Sequence, residues 1–485
     1  MLIKVLTLLL LGIAATLLFG CSEAAPESEE GFMRTYSIEE ANIHGSLEIM
    51  PNGAVGRFEQ RDPDDKLEFI VEIEQEGFYT LEFDIKTLTG YKENYLVING
   101  VDTGAISADS DDFAPAIVTR VFFEEGTHSV AITAHWGWIA VRSLTVTEEA
   151  ALDTSIFDVP ATLVNPNADE NALRLMSFLT DHYGQFMLSG QQSQGDWRKN
   201  HGLFGGEAQF VYDITGKRPA VIGLDFIDYT ESRRSRGAPS QNETQAALEA
   251  WQHGAIVTFC WHWGAPSPYI DGTWYSAFYT DHSKRGFFKN IMDGNDPEGY
   301  QLLLDDIDTI AAELTILRDA GVPILWRPLH EASGGWFWWG TDRESYIELY
   351  KLLFDRLTNH HNLTNLIWLW NGQHKSWYPG DDYVDIIGED VYAGEHDHSS
   401  QAAKFFEAVA YTDAKKMVVL SENGSLIDPN LALRDGAMWG YWCVWNGHFA
   451  TTEQFTTFEM LKQIYNDPLV LTLEDLPDLK TYPIR

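Results

Sequence analysis

Two glutamates stand where their neighbours suit them to proton transfer and nucleophilic attack. Glu331 lies in WRPLHEASGGWFWWG (326–340), between His330 and a turn of small residues that leads into Trp336, Phe337, Trp338 and Trp339. Glu422 lies in LSENG, again followed by small residues. Cleavage of a glycosidic bond needs two such carboxyls, one to protonate the leaving oxygen and one to attack the sugar or activate water. A single Glu in such a place is more often a helix cap or an ion-pair partner. Two of them, each followed closely by small residues, favour chemistry, provided that the fold brings them to one cleft.

The segments around them show how it would. Apolar runs recur through the second part of the chain: QFMLSGQQ, PAVIGLDF, GAIVTFCWHW, PILWRPLHE, NLIWLWNG, YVDIIGEDVY, MVVLSENG and YWCVWNG. Between most of them lie stretches such as LLLDDIDTIAAELTILRDA and SYIELYKLLFDRLTNH, whose apolar residues recur at three and four. Continuous apolar strands alternating with helices predict an α/β fold, a (β/α)8 barrel over 165–485. In that architecture the strand C-termini form the active face. The runs end in Gln191 and Gln192, Asp225, His262, His330 and Glu331, Trp370 and Asn371, Asp390 and Tyr392, Glu422, and finally Trp442 and Trp445. Glu331 would close strand four and Glu422 strand seven, on opposite walls of one cleft.

Residues 36–147 read differently. Period-two runs such as KLEFIVEIEQEGFYTLEFDIKTL and NYLVINGV, broken by Gly and Asn-Gly turns, predict an all-β sandwich. The segment 148–164, with its prolines and polar clusters, reads as a linker to the barrel.

Composition sets the class of partner. Against 33 Lys and Arg stand 72 Asp and Glu, a net charge of −39 that repels nucleic acid and anionic membrane surfaces. The 17 Trp residues supply flat apolar rings with a polar edge, which suit the apolar faces of sugars. At the N-terminus, Lys4 precedes an apolar run from Val5 to Phe19, shorter than the roughly 20 residues that span a bilayer. It reads as a signal segment over 1–21. LFGC resembles the bacterial lipobox and makes Cys21 the expected lipidation site, with 22–35 as a solvated tether. The expected location is the bacterial cell envelope, lipid-anchored at the outer membrane or cell surface, with no other membrane contact and a monomeric chain. Cys260 and Cys443 sit within apolar runs assigned to strands three and eight and read as buried thiols rather than a disulfide.

RPLHEASGGWFWWG resembles the acid/base motif of glycoside hydrolase family 26, and LSENG resembles that family's nucleophile strand. The resemblance extends from about Ser189 to Trp445 and implies a retaining β-1,4-mannanase acting on mannan, galactomannan or glucomannan. It implies Glu331 as general acid/base and Glu422 as nucleophile. His330 stands beside the acid, while Arg327 and Tyr392 match residues that hydrogen-bond or orient the nucleophile. His262 matches a histidine that contacts sugar, Asp390 a polar site residue and Trp336 a platform. Trp442 and Trp445, at the end of strand eight, complete the substrate-binding or supporting set. The β-sandwich resembles carbohydrate-binding modules of the family 6 and 35 type through YLVINGV and GWIAVRSLTV, with Tyr91, Trp136 and Trp138 as its candidate sugar contacts.

Elementary electrostatics gives the two glutamates different roles. Arg327 beside Glu422 would keep it ionised, whereas aromatic walls around Glu331 would raise its pKa towards that of a usable acid. Alternatives remain: the same chemistry on β-1,3-xylan or mixed-linkage β-glucan, or a surface glycan-binding lipoprotein without turnover. The segment Gly264 to Gln301 reads as an extended loop that sets part of the specificity. His262, His330, Glu331 and Asp390 lack any zinc-site spacing, and neither a metal nor a cofactor is expected.

Overall fold

The computed structural model describes residues 31–60, 62–88, 90–135, 137–193, 206–238 and 241–485. Two antiparallel sheets form the N-terminal unit. One contains Glu48–Ile49, Val55–Gly56, Ile139–Glu148, Gly77–Thr87 and Ala114–Phe123; the other contains Asn42–His44, Lys66–Ile73, Gly126–Thr133, Lys92–Ile98 and Val101–Ala108. Alternation builds the core between them, since successive side chains of a strand point to opposite faces. In Lys66–Ile73 the residues Leu67, Phe69, Val71 and Ile73 point inward, where they meet Leu81, Phe83 and Val130. Met33–Ser37 pairs with Ser143–Thr147. The tether expected to reach residue 35 therefore gives way to the sheet at Met33.

The barrel closes from eight parallel strands. These are β1 (Gly190–Gln192), β2 (Val221–Asp225), β3 (Ile256–Cys260), β4 (Ile324–Arg327), β5 (Leu366–Trp370), β6 (Ile386–Val391), β7 (Met417–Asn423) and β8 (Trp442–Val444). Gln191 pairs with Val444 to join the last strand to the first. Every residue of β3, β4 and β5 is buried, as expected of strands packed on both faces. The outer helices carry their own start signals. Pro297–Asp319 begins with Asp296 accepting from the Gly299 amide at 2.8 Å and with Pro297 in its first turn. Leu303, Ile307, Ile310, Leu314 and Leu317, spaced by three and four, cover the barrel.

The segment 264–301 is more ordered than the extended loop expected from its sequence. It makes short helical turns at Ser267–Tyr269, Trp274–Ser276 and Thr280–His282, then the helix Phe287–Met292. The Thr280 amide donates to the Trp336 carbonyl at 2.7 Å, which ties this segment to the turn after Glu331.

The sandwich is docked on the barrel through the helix Ala402–Val409, which lies against Ala114–Phe123. Lys404, on that helix, is only 12% exposed and sits 3.0 Å from Glu93 of the sandwich and 3.2 Å from Glu407. Burial would raise the pKa of Glu93, but the Lys404 ammonium outweighs it and holds the carboxyl below its ordinary value. A second contact between the units sets the Arg434 guanidinium 4.4 Å from the centre of the Phe122 ring. Tyr91 donates to Glu93 at 2.9 Å, and its ring lies 5.0 Å from His374 of the barrel. It is thus an interface residue, not the loop aromatic expected to meet sugar. Trp138 is 40% exposed, whereas Trp136 and Cys21 lie outside the described residues.

Removing one partner of a buried ion pair leaves the other charge uncompensated, at a cost of about 3 kcal/mol. Lys404→Met and Glu93→Gln should each lower the denaturation midpoint. The double variant should lose clearly less than the sum of the two, a coupling that denaturant titration of all four proteins would measure.

Candidate active site

Strand β4 ends at Arg327, and the chain beyond it turns sharply. Leu329 and Glu331 both adopt left-handed backbone conformations, with φ of 54° and 53°. Such geometry costs on the order of 1 kcal/mol or more for a residue with a side chain, so neighbouring groups must hold it. The Glu331 amide donates to the Asn371 carbonyl at 2.7 Å and approaches its side-chain Oδ1 at 3.3 Å. Past Glu331, the Trp336 ring folds back over Gly334. A Cβ on Gly334 would stand 2.0 Å from that ring, so the small residue lets the indole reach Glu331. Trp336 Nε1 then donates to Glu331 Oε2 at 2.8 Å, while the ring itself remains 44% exposed.

The remaining aromatics of this stretch turn inward. Phe337, Trp338 and Trp339 are buried; Trp338 Nε1 donates to the Trp263 carbonyl at 2.6 Å and Trp339 Nε1 to the His330 carbonyl at 2.8 Å. They form the apolar wall behind Glu331. Burial raises its pKa well above the usual carboxylate range, and the charges of Asp390 and Glu422 push the same way.

Glu422, 3% exposed on β7, has the opposite surroundings. Arg327 donates to its Oε1, and the Tyr392 hydroxyl donates to its Oε2 at 2.7 Å. As a carboxylate it accepts both. Arg327 also donates to Asp390 Oδ2 at 3.0 Å. One carboxylate oxygen from each of Glu331, Asp390 and Glu422 lies within 4.8 Å of the others. Arg327 gives its positive charge to two of these three carboxyls. Asp390 rises to about 7 because burial and the Glu422 charge outweigh the pull of Arg327.

On the neighbouring wall His262 and His330 face each other, Nε2 to Nε2, at 3.3 Å. Asp225 Oδ2 lies 2.7 Å from His262 Nδ1, so that nitrogen carries a hydrogen. Burial, reinforced by His262 and Arg327, drives the pKa of His330 well below its ordinary value and leaves it neutral. Its Nδ1 has no hydrogen-bond partner among the described residues. Trp445, partly exposed, lies 5.8 Å from the His262 ring.

The structure thus gathers Glu331, Glu422, Arg327, His262, His330, Trp336, Asp390, Tyr392 and Trp445 at one mouth of the barrel. Trp442 does not join them. It is wholly buried, and its ring packs against Tyr465 of the helix Phe458–Tyr465 at 6.0 Å. Its strand neighbour Cys443 faces the barrel interior, close to Gly223 of β2, and alternation along β8 turns Trp442 outward. Cys260 and Cys443 are free, buried thiols. Asp225, Asn371 and Ser421 serve the site without having been assigned roles; their only sequence signal is their place at the ends of apolar runs.

The Trp336 hydrogen bond favours the charged form of Glu331 and so lowers its pKa. Trp336→Phe removes that donor. The alkaline limb of the kcat/KM profile, where the acid loses its proton, should move to higher pH, with a raised KM from the lost indole. A profile shifted to lower pH would contradict the assigned contact.

Comparison with known proteins agrees with this geometry. The profile of glycosyl hydrolase family 26 matches residues 164–475, and that of the family 35 carbohydrate binding module matches residues 24–149. A mannan endo-1,4-beta-mannosidase of Thermothelomyces thermophilus is 36% identical over 469 residues, covering 94% of this chain and 93% of that protein. Mannan endo-1,4-beta-mannosidase B of Piromyces sp is 33% identical over 458 residues, covering 93% and 77% respectively. Among solved structures, the Podospora anserina GH26-CBM35 beta-(1,4)-mannanase superposes with a TM-score of 0.65 at 34% identity, covering 93% of this chain and 100% of that one. From the family match, and from the two carboxyls that the barrel sets face to face, it follows that this chain belongs to glycosyl hydrolase family 26, with a family 35 carbohydrate binding module before the catalytic barrel.

Proposed function

We propose that the protein hydrolyses β-1,4-mannosidic linkages of mannan, galactomannan or glucomannan with retention of anomeric configuration. One observation carries the mechanism: the carboxyl oxygens of Glu331 and Glu422 approach within 4.8 Å, in opposite electrostatic settings. Retaining enzymes keep their carboxyls about 5 to 5.5 Å apart, whereas inverting ones need about 6.5 to 9.5 Å to admit a water. The relatives named as mannan endo-1,4-beta-mannosidases support the choice of glycan.

In the first step Glu331 gives its proton to the glycosidic oxygen as a Glu422 oxygen bonds to the anomeric carbon. The C–O bond to the leaving sugar breaks, and a glycosyl ester remains on Glu422. Glu331, now a carboxylate, takes a proton from water whose oxygen attacks the same carbon and releases Glu422. The exposed Trp336 ring offers the sugar a stacking face beside the acid.

The family 35 module is proposed to hold the same type of polysaccharide, with exposed Trp138 available for contact. We infer further that the mature chain acts as a monomer anchored to the bacterial cell envelope through lipid on Cys21. Support for the anchor comes from the LFGC motif after an apolar segment. A lipid chain binds by burying its methylenes in the bilayer. Cys21→Ala should therefore move the protein from the membrane fraction to the soluble one on cell fractionation, and retention with the membranes would contradict the anchor.

Turnover by the purified protein on mannan, β-1,3-xylan and mixed-linkage β-glucan tests the substrate, and the expected result is mannan-derived oligosaccharides. Sugar bound without release on all three would favour a glycan-binding protein. Glu422→Ala should abolish turnover of both mannan and an activated aryl β-mannoside. Glu331→Ala should lose about 100- to 10,000-fold on mannan but much less on the activated substrate, whose leaving group needs little protonation. Equal losses on the two substrates in the Glu331 variant would refute its role as the acid.

A further inference from the structure

Four side chains from four consecutive strands form a closed ring of hydrogen bonds beneath the two carboxyls. Asn371, directly after β5, is fully buried and donates through Nδ2 to Ser421 Oγ on β7 at 3.0 Å. Ser421 lies 2.7 Å from Asp390 Oδ1 on β6. Arg327 at the end of β4 donates through one nitrogen to Asp390 Oδ2 at 3.0 Å and to Asn371 Oδ1 at 3.4 Å, which closes the ring. Donors and acceptors run consistently around it. The amide fits in one sense only, because reversing it would set NH2 against the guanidinium, donor to donor, and leave Ser421 without its donor.

The ring touches both catalytic groups. Through Arg327 it holds Glu422, and the Asn371 side-chain Oδ1 lies 3.3 Å from the left-handed Glu331 amide, beside the bond which that amide makes to the Asn371 carbonyl. Space is kept for it as well. A Cβ on Gly388 would stand 2.5 Å from Ser421 Oγ, so any larger residue there would displace the hydroxyl.

We propose that Asn371 is a positioning residue for the hydrolysis, and that with Ser421 it sets the spacing between the Glu331 and Glu422 carboxyls. Asn371 touches no reacting atom. Its side-chain oxygen accepts from the guanidinium that holds the nucleophile and offers a second acceptor to the amide of the turn that carries the acid. Aspartate is no substitute, since it lacks the donor to Ser421 and adds a carboxylate beside Asp390. The inference rests on the assignment of Glu331 and Glu422 made above.

The test measures kcat and KM for wild type, Asn371→Ala, Asn371→Asp and Ser421→Ala on mannohexaose and on an activated dinitrophenyl β-mannobioside. Thermal melting reports whether each variant is folded. A displaced catalytic group costs on the order of 100-fold, so kcat should fall by roughly that factor in both Asn371 variants, with KM changed less than about threefold. The loss should appear on both substrates, because acid and nucleophile move together. Ser421→Ala should fall in the same direction, and it decides the matter if the Asn371 variants do not fold. A folded Asn371→Ala protein with unchanged kcat would overturn the proposal. So would a loss confined to mannohexaose, which would tie Asn371 to the acid alone, or a loss carried wholly by KM. Wild type inactive on both substrates would instead defeat the hydrolase assignment itself.

Discussion

A guanidinium taken out of water loses several kcal/mol of hydration unless fixed charges and hydrogen bonds replace it. Arg327 is 2% exposed at the centre of the barrel mouth, and Asp390 and Glu422 supply that replacement. Burial alone would weaken its hold on the proton, but the two carboxylates raise its pKa well above the ordinary value. The same contacts settle the state of the site. A permanent cation between Asp390 and Glu422 permits two carboxyls to stand close together, and the third, Glu331, receives little of that compensation. Burial, together with the charges of Asp390 and Glu422, holds its pKa well above the usual carboxylate range.

The aromatic stretch after Glu331 completes this division. Trp338 and Trp339 spend their indole N–H groups on backbone carbonyls and exclude water behind the acid, while Trp336 alone turns its face outward. A low-dielectric wall on one side and a guanidinium on the other give two chemically identical side chains opposite electrostatic settings a few ångströms apart. His330, buried and neutral, adds no competing charge between them.

Much of this was legible in the sequence because parallel strands packed on both faces are continuous apolar runs, and the polar residues that interrupt them mark the active end. Glu331 and Glu422 could be placed on that ground, whereas Arg327 was implied only by the resemblance of its motif to the family's. Trp442 could not, because the end of a run fixes height in the barrel but not whether a side chain points in or out; one step of register separates it from the inward Cys443. Tyr91 was misread for a different reason. Its loop-like surroundings say nothing of the second unit that covers it, and burial against another domain leaves no period in the local sequence. The part played by Asn371 was equally hidden, since a four-strand ring exists only once the barrel has closed. Residue 35 fell outside the expected sandwich because Met33–Ser37 is a short edge segment whose pattern is weak.

The buried Lys404 has a consequence for how the two units share a polysaccharide. A module on a loose leash samples a volume around its catalytic partner and raises the local substrate concentration wherever it reaches. Here Glu93 and Glu407 both pair with one ammonium, and elsewhere between the units the Arg434 guanidinium lies over the Phe122 ring. The sandwich is therefore a fixed outrigger. A chain gripped by it would enter the barrel mouth at one constant offset, so the protein would act on a fibre as a gauge of set length rather than as a roaming hook.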